Sequence, residues 1–156
     1  MSESSEESIP LRMDRPELIV PVVGVPAETF PQERRVALVP AAVGTLKKAG
    51  ISAVVQKGAG VRAGFPDAQY EKQGAQLVDS RAEVFKAANI ILQVRAAAAN
   101  PDEGKADLEL LSKDQIVIAS CDPLTDPQSM VPYDERGDSP FSLERITRNK
   151  RDESMN

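Results

Sequence analysis

Short aliphatic runs recur along this chain at the spacing of strands separated by single helices: Leu18 to Val25, Ile51 to Gln56, Ala75 to Val78, Asn89 to Val94 and Gln115 to Cys121. Most of them lack the strict apolar-polar alternation of a strand with one wet face, so they suit a sheet covered on both sides. Pro21 is unsuited to a central strand position and belongs at the start of its strand. Between the runs lie helical patterns. Pro40 to Gly50 puts Val43, Leu46 and Ala49 on one face, with Pro40 fitted to a first helical position and Gly50 to a C-terminal cap. Asp79 and Ser80 can cap a helix from Arg81 to Ala88, with Glu83 in its first turn and Val84, Phe85 and Ala88 facing inward. Further helices are expected from Pro66-Asp67 to Gln73 and over Asp107 to Leu111. This alternation predicts a doubly wound α/β domain.

The chain has 156 residues, enough for one domain with a core and tails. Aromatic residues make up 4% and Trp is absent, so the core must be aliphatic and rich in alanine. A formal charge of −5 argues against a nucleic-acid surface, which needs clustered Lys and Arg. Arg145, Arg148, Lys150 and Arg151 are interleaved with Glu144, Asp152 and Glu153, the pattern of a solvated mixed-charge tail. Cys121 has no second cysteine to pair with, which predicts a reducing, cytoplasmic setting, and with no histidine in the chain it lacks the usual activating base. It reads as a small core residue. No stretch reaches the ~20 apolar residues of a membrane span, and the start is acidic and polar where a signal peptide would be basic and then apolar.

Residues 1–16 are rich in Ser and Glu and read as a disordered acidic leader. Residues 17–127 form the expected α/β domain. From Gln128 to Pro140 the sequence is QSMVPYDERGDSP, in which Pro132 and Pro140 oppose helix and strand alike, although Phe141 to Glu144 keeps a short strand pattern. A weakly ordered end is expected over 128–156.

Gly58, Gly60 and Ala63 satisfy the G-x-G-x-x-A pattern of a dinucleotide fingerprint, with Asp79 about 20 residues on. The fingerprint needs a helix beginning at the loop, so that its first amides face the pyrophosphate. Gly64 and Pro66 fall where that helix's early turns would be and oppose it. A structural turn is the better reading of the loop.

Ligands of open α/β sheets bind beyond the carboxyl ends of the strands. Arg35, Arg95 and Asp122 lie at or near such ends, and two arginines suit a carboxylate or phosphate oxygen. The alternative is that Arg35 pairs with Glu33 or Glu28 on a solvated loop. The residues leave both open.

Gly24-Val25-Pro26-x-Glu28, followed by Glu33-Arg34-Arg35-Val36-Ala37-Leu38-Val39-Pro40, resembles the opening of the family that joins alanine dehydrogenase to the α subunit of proton-translocating NAD(P) transhydrogenase. The Gly-Ala-Gly…Gly-Phe-x-Asp passage is similar to one in that family's domain that does not bind nucleotide. The resemblance runs from about Leu18 to Asn156. It implies a flavodoxin-like three-layer α/β domain with a mostly parallel sheet, incomplete or weakly ordered at its C-terminal end. In alanine dehydrogenases the residues matching Arg35 and Arg95 (there a Lys) hold the substrate carboxylate, and a His matching Asp122 is the acid/base. Gln93 and Arg95 replace the usual Lys-x-Lys. With Asp122 in the His position, Asp122-Pro-Leu-Thr-Asp-Pro127 looks like the transhydrogenase branch.

In that branch a hydride passes between NADH and NADP+, coupled to proton movement across a membrane, and a loop of pattern Arg-x-x-x-x-Gln-x-x-Asp orients the NAD(H) ring. The matching positions are Arg148, Glu153 and Asn156, with the Gln and Asp both exchanged. The resemblance stops before the family's Rossmann domain, its membrane segments and the returning helices that complete the first domain. The expectation is therefore a part not active alone, binding neither NAD(H) nor NADP(H) tightly by itself. Its expected partners are Rossmann-domain or other transhydrogenase subunits, or a second copy, and its expected location is cytoplasmic, peripheral to the inner membrane through those subunits. A non-catalytic binding or regulatory module that keeps the fold is the alternative, and an alanine dehydrogenase-like oxidoreductase is a third reading that the absence of histidine disfavours.

Overall fold

The computed structural model describes residues 20–100, 102–112, 114–120 and 139–142. Six strands, β1 Val22–Val25, β2 Ser52–Gln56, β3 Gln76–Val78, β4 Ile90–Arg95, β5 Ile116–Ser120 and β6 Ser139–Ser142, form one sheet in the order β3-β2-β1-β4-β5-β6. Every neighbouring pair is parallel. Without the short edge strand β3, the remaining five follow the 2-1-3-4-5 order of a flavodoxin-like sheet. The expected three-layer α/β class is thus the observed one.

The helices are α1 Pro40–Lys48, α2 Asp67–Lys72, α3 Arg81–Ala87 and α4 Gly104–Leu110. Strand period decides which side chains meet which helices. On one face Val23, Val25, Ala53 and Val55 pack with Val43 of α1 and Tyr70 of α2. On the other, Ile91, Val117 and Ala119 pack with Val84 and Phe85 of α3. Gly24 lies against α3, where an added Cβ would come within 2.6 Å of the Ala88 Cβ and 2.9 Å of the Val84 Cγ1. A glycine there lets the central strand and the helix approach each other.

Sequence signals placed most element ends. Pro40 opens α1 and Gly50 follows it at φ +82, as a left-handed cap requires. Ser80 and Glu83 form a reciprocal capping box at α3. Pro21 precedes β1, as expected. Three expectations need correction. Ala49 is exposed beyond the last turn of α1, and Ala42 packs toward the core beside Val43 and Leu46. Helix α4 begins at Gly104 instead of Asp107. Pro140, expected to oppose a strand, lies inside β6 opposite Val117, and the strand covers 139–142 instead of 141–144. At the end of the strand order β6 has one described neighbour, and a missing N–H is tolerated on an edge. The leader at 1–16, Cys121 and the rest of 128–156 lie outside the described residues.

Tyr70 is fully buried beneath the sheet's first face, and its hydroxyl donates to the Leu38 carbonyl at 2.8 Å. Burial pushes its pKa up to about 12, so it stays a donor at every ordinary pH. Tyr70→Phe leaves that carbonyl unpaired and is expected to cost about 1–2 kcal/mol in urea unfolding. An unchanged midpoint would mean that water replaces the bond.

The first face is not covered along its whole width. At β4 and β5, Ile90, Leu92, Val94, Ile116 and Ile118 are only half-buried. Leu92, Val94 and Ile118 line a hollow of about 520 Å³ with Val36, Ala37 and Arg35. No described helix lies over it.

Candidate functional site

The order in which strands are added reverses between β1 and β4, and there the two parallel strands separate. They are in register only at Val23 opposite Ile90 and Gly24 opposite Ile91, while β4 runs on to Arg95. Glu28, in the loop after β1, fills the opening. Its carboxylate accepts from the Val94 N–H at 2.6 Å and the Arg95 N–H at 3.2 Å, two successive amides where the pairing of β4 with β5 shifts register between Leu92 and Arg95. Burial outweighs these bonds and holds its pKa above the ordinary carboxylate value.

The same loop is fastened residue by residue. The Ala27 N–H donates to Gln56 of β2 at 2.9 Å, and the Ala27 carbonyl accepts from the Arg81 guanidinium. Asn100 donates its amide to the Thr29 hydroxyl at 2.8 Å. The Phe30 ring carries the Arg95 guanidinium 4.2 Å from its centroid, a cation–π contact. These anchors position the next residues.

Glu33 is the hub of what they position. Its residue is 7% exposed, and both its oxygens are engaged. Arg35 donates from Nε to Oε1 and from Nη2 to Oε2, each at 2.7 Å, and its own N–H donates to Oε1 at 3.1 Å. Arg95 reaches Oε2 through Nε at 3.2 Å. Hydrogen bonds from Arg35 are the main cause that holds the Glu33 carboxyl down to about 2, and the Arg95 bond adds to them.

The pH consequence follows from that direction. Between about 4.5 and about 2 the unfolded chain protonates this carboxyl and the folded chain does not. Stability from Glu33 is therefore full above that window and lost as pH falls through it. Arg35's side chain is 68% exposed, so solvent screening reduces the contribution to about 1 kcal/mol or less. Glu33→Gln is expected to flatten the acid limb of stability between pH 4.5 and 2 in fluorescence- or dichroism-monitored urea titrations. An unaltered limb would place the titration elsewhere.

Beside this cluster is a small cleft of about 180 Å³, bordered by Glu28, Glu33, Arg35, Lys57, Gly58 and Arg62. The Gly58 loop does not fit a pyrophosphate. A 3-10 turn at Val61–Ala63 follows it, α2 begins only at Asp67, and the Asp67 carboxylate already takes the Gly58 N–H at 2.8 Å. Tyr70 and the Phe65 carbonyl crowd Gly60, within 2.8 Å of where a Cβ would stand. Asp79, at the ribose-binding position of the fingerprint, pairs with Lys57 at 2.5 Å. The loop is a structural turn, as its proline and Gly64 indicated. Among the described residues no group of three or more His, Cys, Asp or Glu gathers to hold a metal ion.

Of the residues singled out from sequence, the structure joins Arg35 and Arg95 through Glu33. The solvated pairing of Arg35 with Glu33 and the convergence of two strand-end arginines are both present, since one carboxylate serves both. Asp122, Arg148, Glu153 and Asn156 lie outside the described residues. Sequence reading missed Phe30 and the bonds of Glu28 to the end of β4. Phe30 offered no signal beyond being an aromatic in a polar loop, and Glu28, though part of the Gly-Val-Pro-x-Glu motif, gave no sign of which backbone it would bind.

A doubly wound α/β sheet with its carboxyl-edge loops gathered around two arginines at the switch point belongs to the class of open α/β domains, in which that edge is where ligands bind. The family model described as "Alanine dehydrogenase/PNT, N-terminal domain" matches residues 24–156, and the chain belongs to that family. NAD(P) transhydrogenase subunit alpha of Cereibacter sphaeroides is 32% identical over 133 residues, 85% of this chain and 24% of that one. An alanine dehydrogenase of Methanococcus maripaludis is 32% identical over 107 residues, 69% of this chain and 27% of that one. The crystal structure of transhydrogenase from Sinorhizobium meliloti superposes with a TM-score of 0.74 at 32% identity, covering 86% of this chain and 36% of that chain. The chain thus spans about a quarter of the length of these curated relatives. No helix among the described residues is long and apolar enough to cross a membrane.

Proposed function

We propose that this chain is the N-terminal part of a proton-translocating NAD(P) transhydrogenase α subunit, forming one wall of a cleft for NAD(H) and carrying out no hydride transfer by itself. The observation that carries this reading over alanine dehydrogenase is chemical. Oxidative deamination needs a proton carrier beside the substrate, and this chain, without histidine, offers guanidinium, carboxylate and the Lys57 ammonium at this edge but no imidazole. Direct hydride transfer between two nicotinamides asks the protein for alignment and exclusion of water instead. The longer match to a transhydrogenase α subunit, 133 residues against 107, points the same way.

The described residues do not make a dinucleotide cradle, so the cofactor phosphates belong to a Rossmann domain in a partner or another segment. Arg148, Glu153 and Asn156 are the residues assigned here to the nicotinamide end of NAD(H). Arg35, Arg95 and Asp122 are assigned to the rim of the same cleft. Attachment to a membrane comes through partner subunits.

A second reading, a non-catalytic binding or regulatory module, is favoured by one feature: Glu33 already satisfies inward-facing donors of both arginines. Calorimetric or fluorescence titration with NADH, alone and with a Rossmann-domain partner, separates the two. Binding only with the partner, weakened by Arg148→Ala, is expected of the transhydrogenase reading. No binding in either case leaves the module.

A further inference from the structure

We propose that the chain covers its own open sheet face, with residues 9–19 laid as an extended strap over the hollow at β4 and β5. Ile90, Leu92, Val94, Ile116 and Ile118 are half-buried on that face. The alternate residues Ile91 and Val117 are 0% and 1% exposed, packed with Val84 and Phe85 of α3. Strands that are apolar on both faces call for an apolar cover on both, and no described helix supplies the second. The cover therefore comes from residues outside the described ones or from another chain.

The hand of the connections sets one segment aside. From β4 to β5 and from β5 to β6 the chain steps across the sheet in the same direction between parallel neighbours. The first step crosses through α4, whose Leu108 and Leu110 pack with the α3 side of the sheet. A right-handed connection from β5 to β6 crosses on that side too, away from the hollow. Of the two ends of the chain, residues 143–156 hold three apolar residues in fourteen, whereas residues 9–19, IPLRMDRPELI, hold five in eleven. Ile9, Leu11 and Met13 alternate with Pro10, Arg12 and Asp14, so an extended segment puts all three on one side. Pro10 and Pro16 favour that extension, each biasing the residue before it away from helix.

Reach and charge agree with this placement. The described chain begins at Val20, just before the amino end of β1, and β1 is the neighbour of β4. Eleven extended residues span about 36 Å, while β4 rises only about 13 Å from Ile90 to Val94. The segment can thus turn back and run the length of the hollow. Its acidic head, with Glu3, Glu6 and Glu7, is then delivered to the carboxyl edge of the sheet. At that edge Glu33 and Asp79 are already paired and Glu28 is bonded to backbone, whereas Arg34 and Arg62 have no ion pair among the described residues. Screening makes those charges a guide to direction, and the apolar contact the source of affinity.

The chain has no Trp, so one introduced into the strap reports alone. In the full chain, Met13→Trp and Leu11→Trp are each expected to emit to the blue of free tryptophan and to resist quenching by acrylamide. Arg12→Trp is expected to emit and quench as a solvated ring. Adding Leu92→Gln to Met13→Trp should return its emission to the solvated value, and dilution should leave it unchanged. Should Leu92→Gln lose its fold by far-ultraviolet dichroism, Ala37→Glu on the hollow's other wall gives the same reading. Solvated emission from both Met13→Trp and Leu11→Trp overturns the proposal and leaves the hollow to a partner. Equal shielding in Arg12→Trp overturns the one-sided strap, and shielding that survives Leu92→Gln places the segment elsewhere. Shielding lost on dilution assigns the cover to a second copy of the chain.

Discussion

Asp107→Ala is expected to destabilise the fold by about 3–5 kcal/mol, among the largest effects of any single substitution in the chain. The Asp107 side chain is 5% exposed and lies against Arg81, itself 17% exposed. Arg81 donates to both carboxylate oxygens, through Nε and through Nη2, the latter at 2.6 Å, and Gln93 of β4 donates to Oδ2 at 3.1 Å. Arg81 also donates from Nη1 to the Ala27 carbonyl, and its guanidinium lies 5.8 Å from the Phe85 ring centroid. The pair thus ties α4, the start of α3, β4 and the loop after β1 at one point. Removing the carboxylate leaves a guanidinium out of water with one carbonyl for a partner.

A paired Arg81→Met, Asp107→Leu replacement is expected to regain most of the loss, because desolvating two charges offsets much of what their attraction contributes. Urea unfolding of the single and double variants measures both. A loss below 1 kcal/mol for Asp107→Ala, with an unchanged denaturant slope, would mean that water reaches the pair.

How well the fold could be read from sequence depended on how local each signal was. The unalternated run at Asn89 to Val94 announced a strand covered on both faces, but only the face of Ile91 and Gln93 is buried; Ile90, Leu92 and Val94 are half-buried, the last two lining the open hollow. Ser80 and Glu83 announced the start of α3 because a capping box is completed within four residues. Pro66 ruled out a helix at the Gly58 loop for the same local reason. Where the signal was spread, boundaries moved: nothing in Gly104-Lys-Ala marks a helix start, yet α4 begins there. Gly104 packs on Ala97, so closely that a Cβ would come within 2.4 Å of the Ala97 carbonyl, a tertiary reason invisible in the local sequence.

The site was legible only as separate pieces. Glu33, Arg34 and Arg35 form a conspicuous triplet, and Arg95 ends an obvious strand. That one carboxylate holds two of these arginines depends on a contact across 62 residues. Arg81 and Asp107 were unremarked polar residues near helix starts until α4 brought them together. Pairings of this kind are set by sheet order and by which face each helix covers.

Gln115 shows the same limit with the second large consequence. It stands just before β5 and is 4% exposed, and its amide is fully used. Nε2 donates to the Phe85 carbonyl at 2.5 Å and to the Ala88 carbonyl at 2.7 Å, and Oε1 accepts the Ser112 N–H at 3.0 Å. The final carbonyls of a helix have no partner within it. In α3 they are buried, so a residue 27–30 positions away supplies the cap that a glycine or lysine often supplies from nearby.

Gln115→Leu keeps the volume and removes all three bonds, leaving two buried carbonyls and one N–H unpaired. Each costs about 1 kcal/mol or more, so a loss of about 3 kcal/mol is expected. Hydrogen exchange distinguishes this from general loosening. Amides of the last turn of α3 and of Ser112 should exchange faster than the global loss of stability requires, while those of β1 and β2 should follow it. A uniform change across the sheet would assign Gln115 to packing alone, and the end of α3 would then need another partner for its carbonyls.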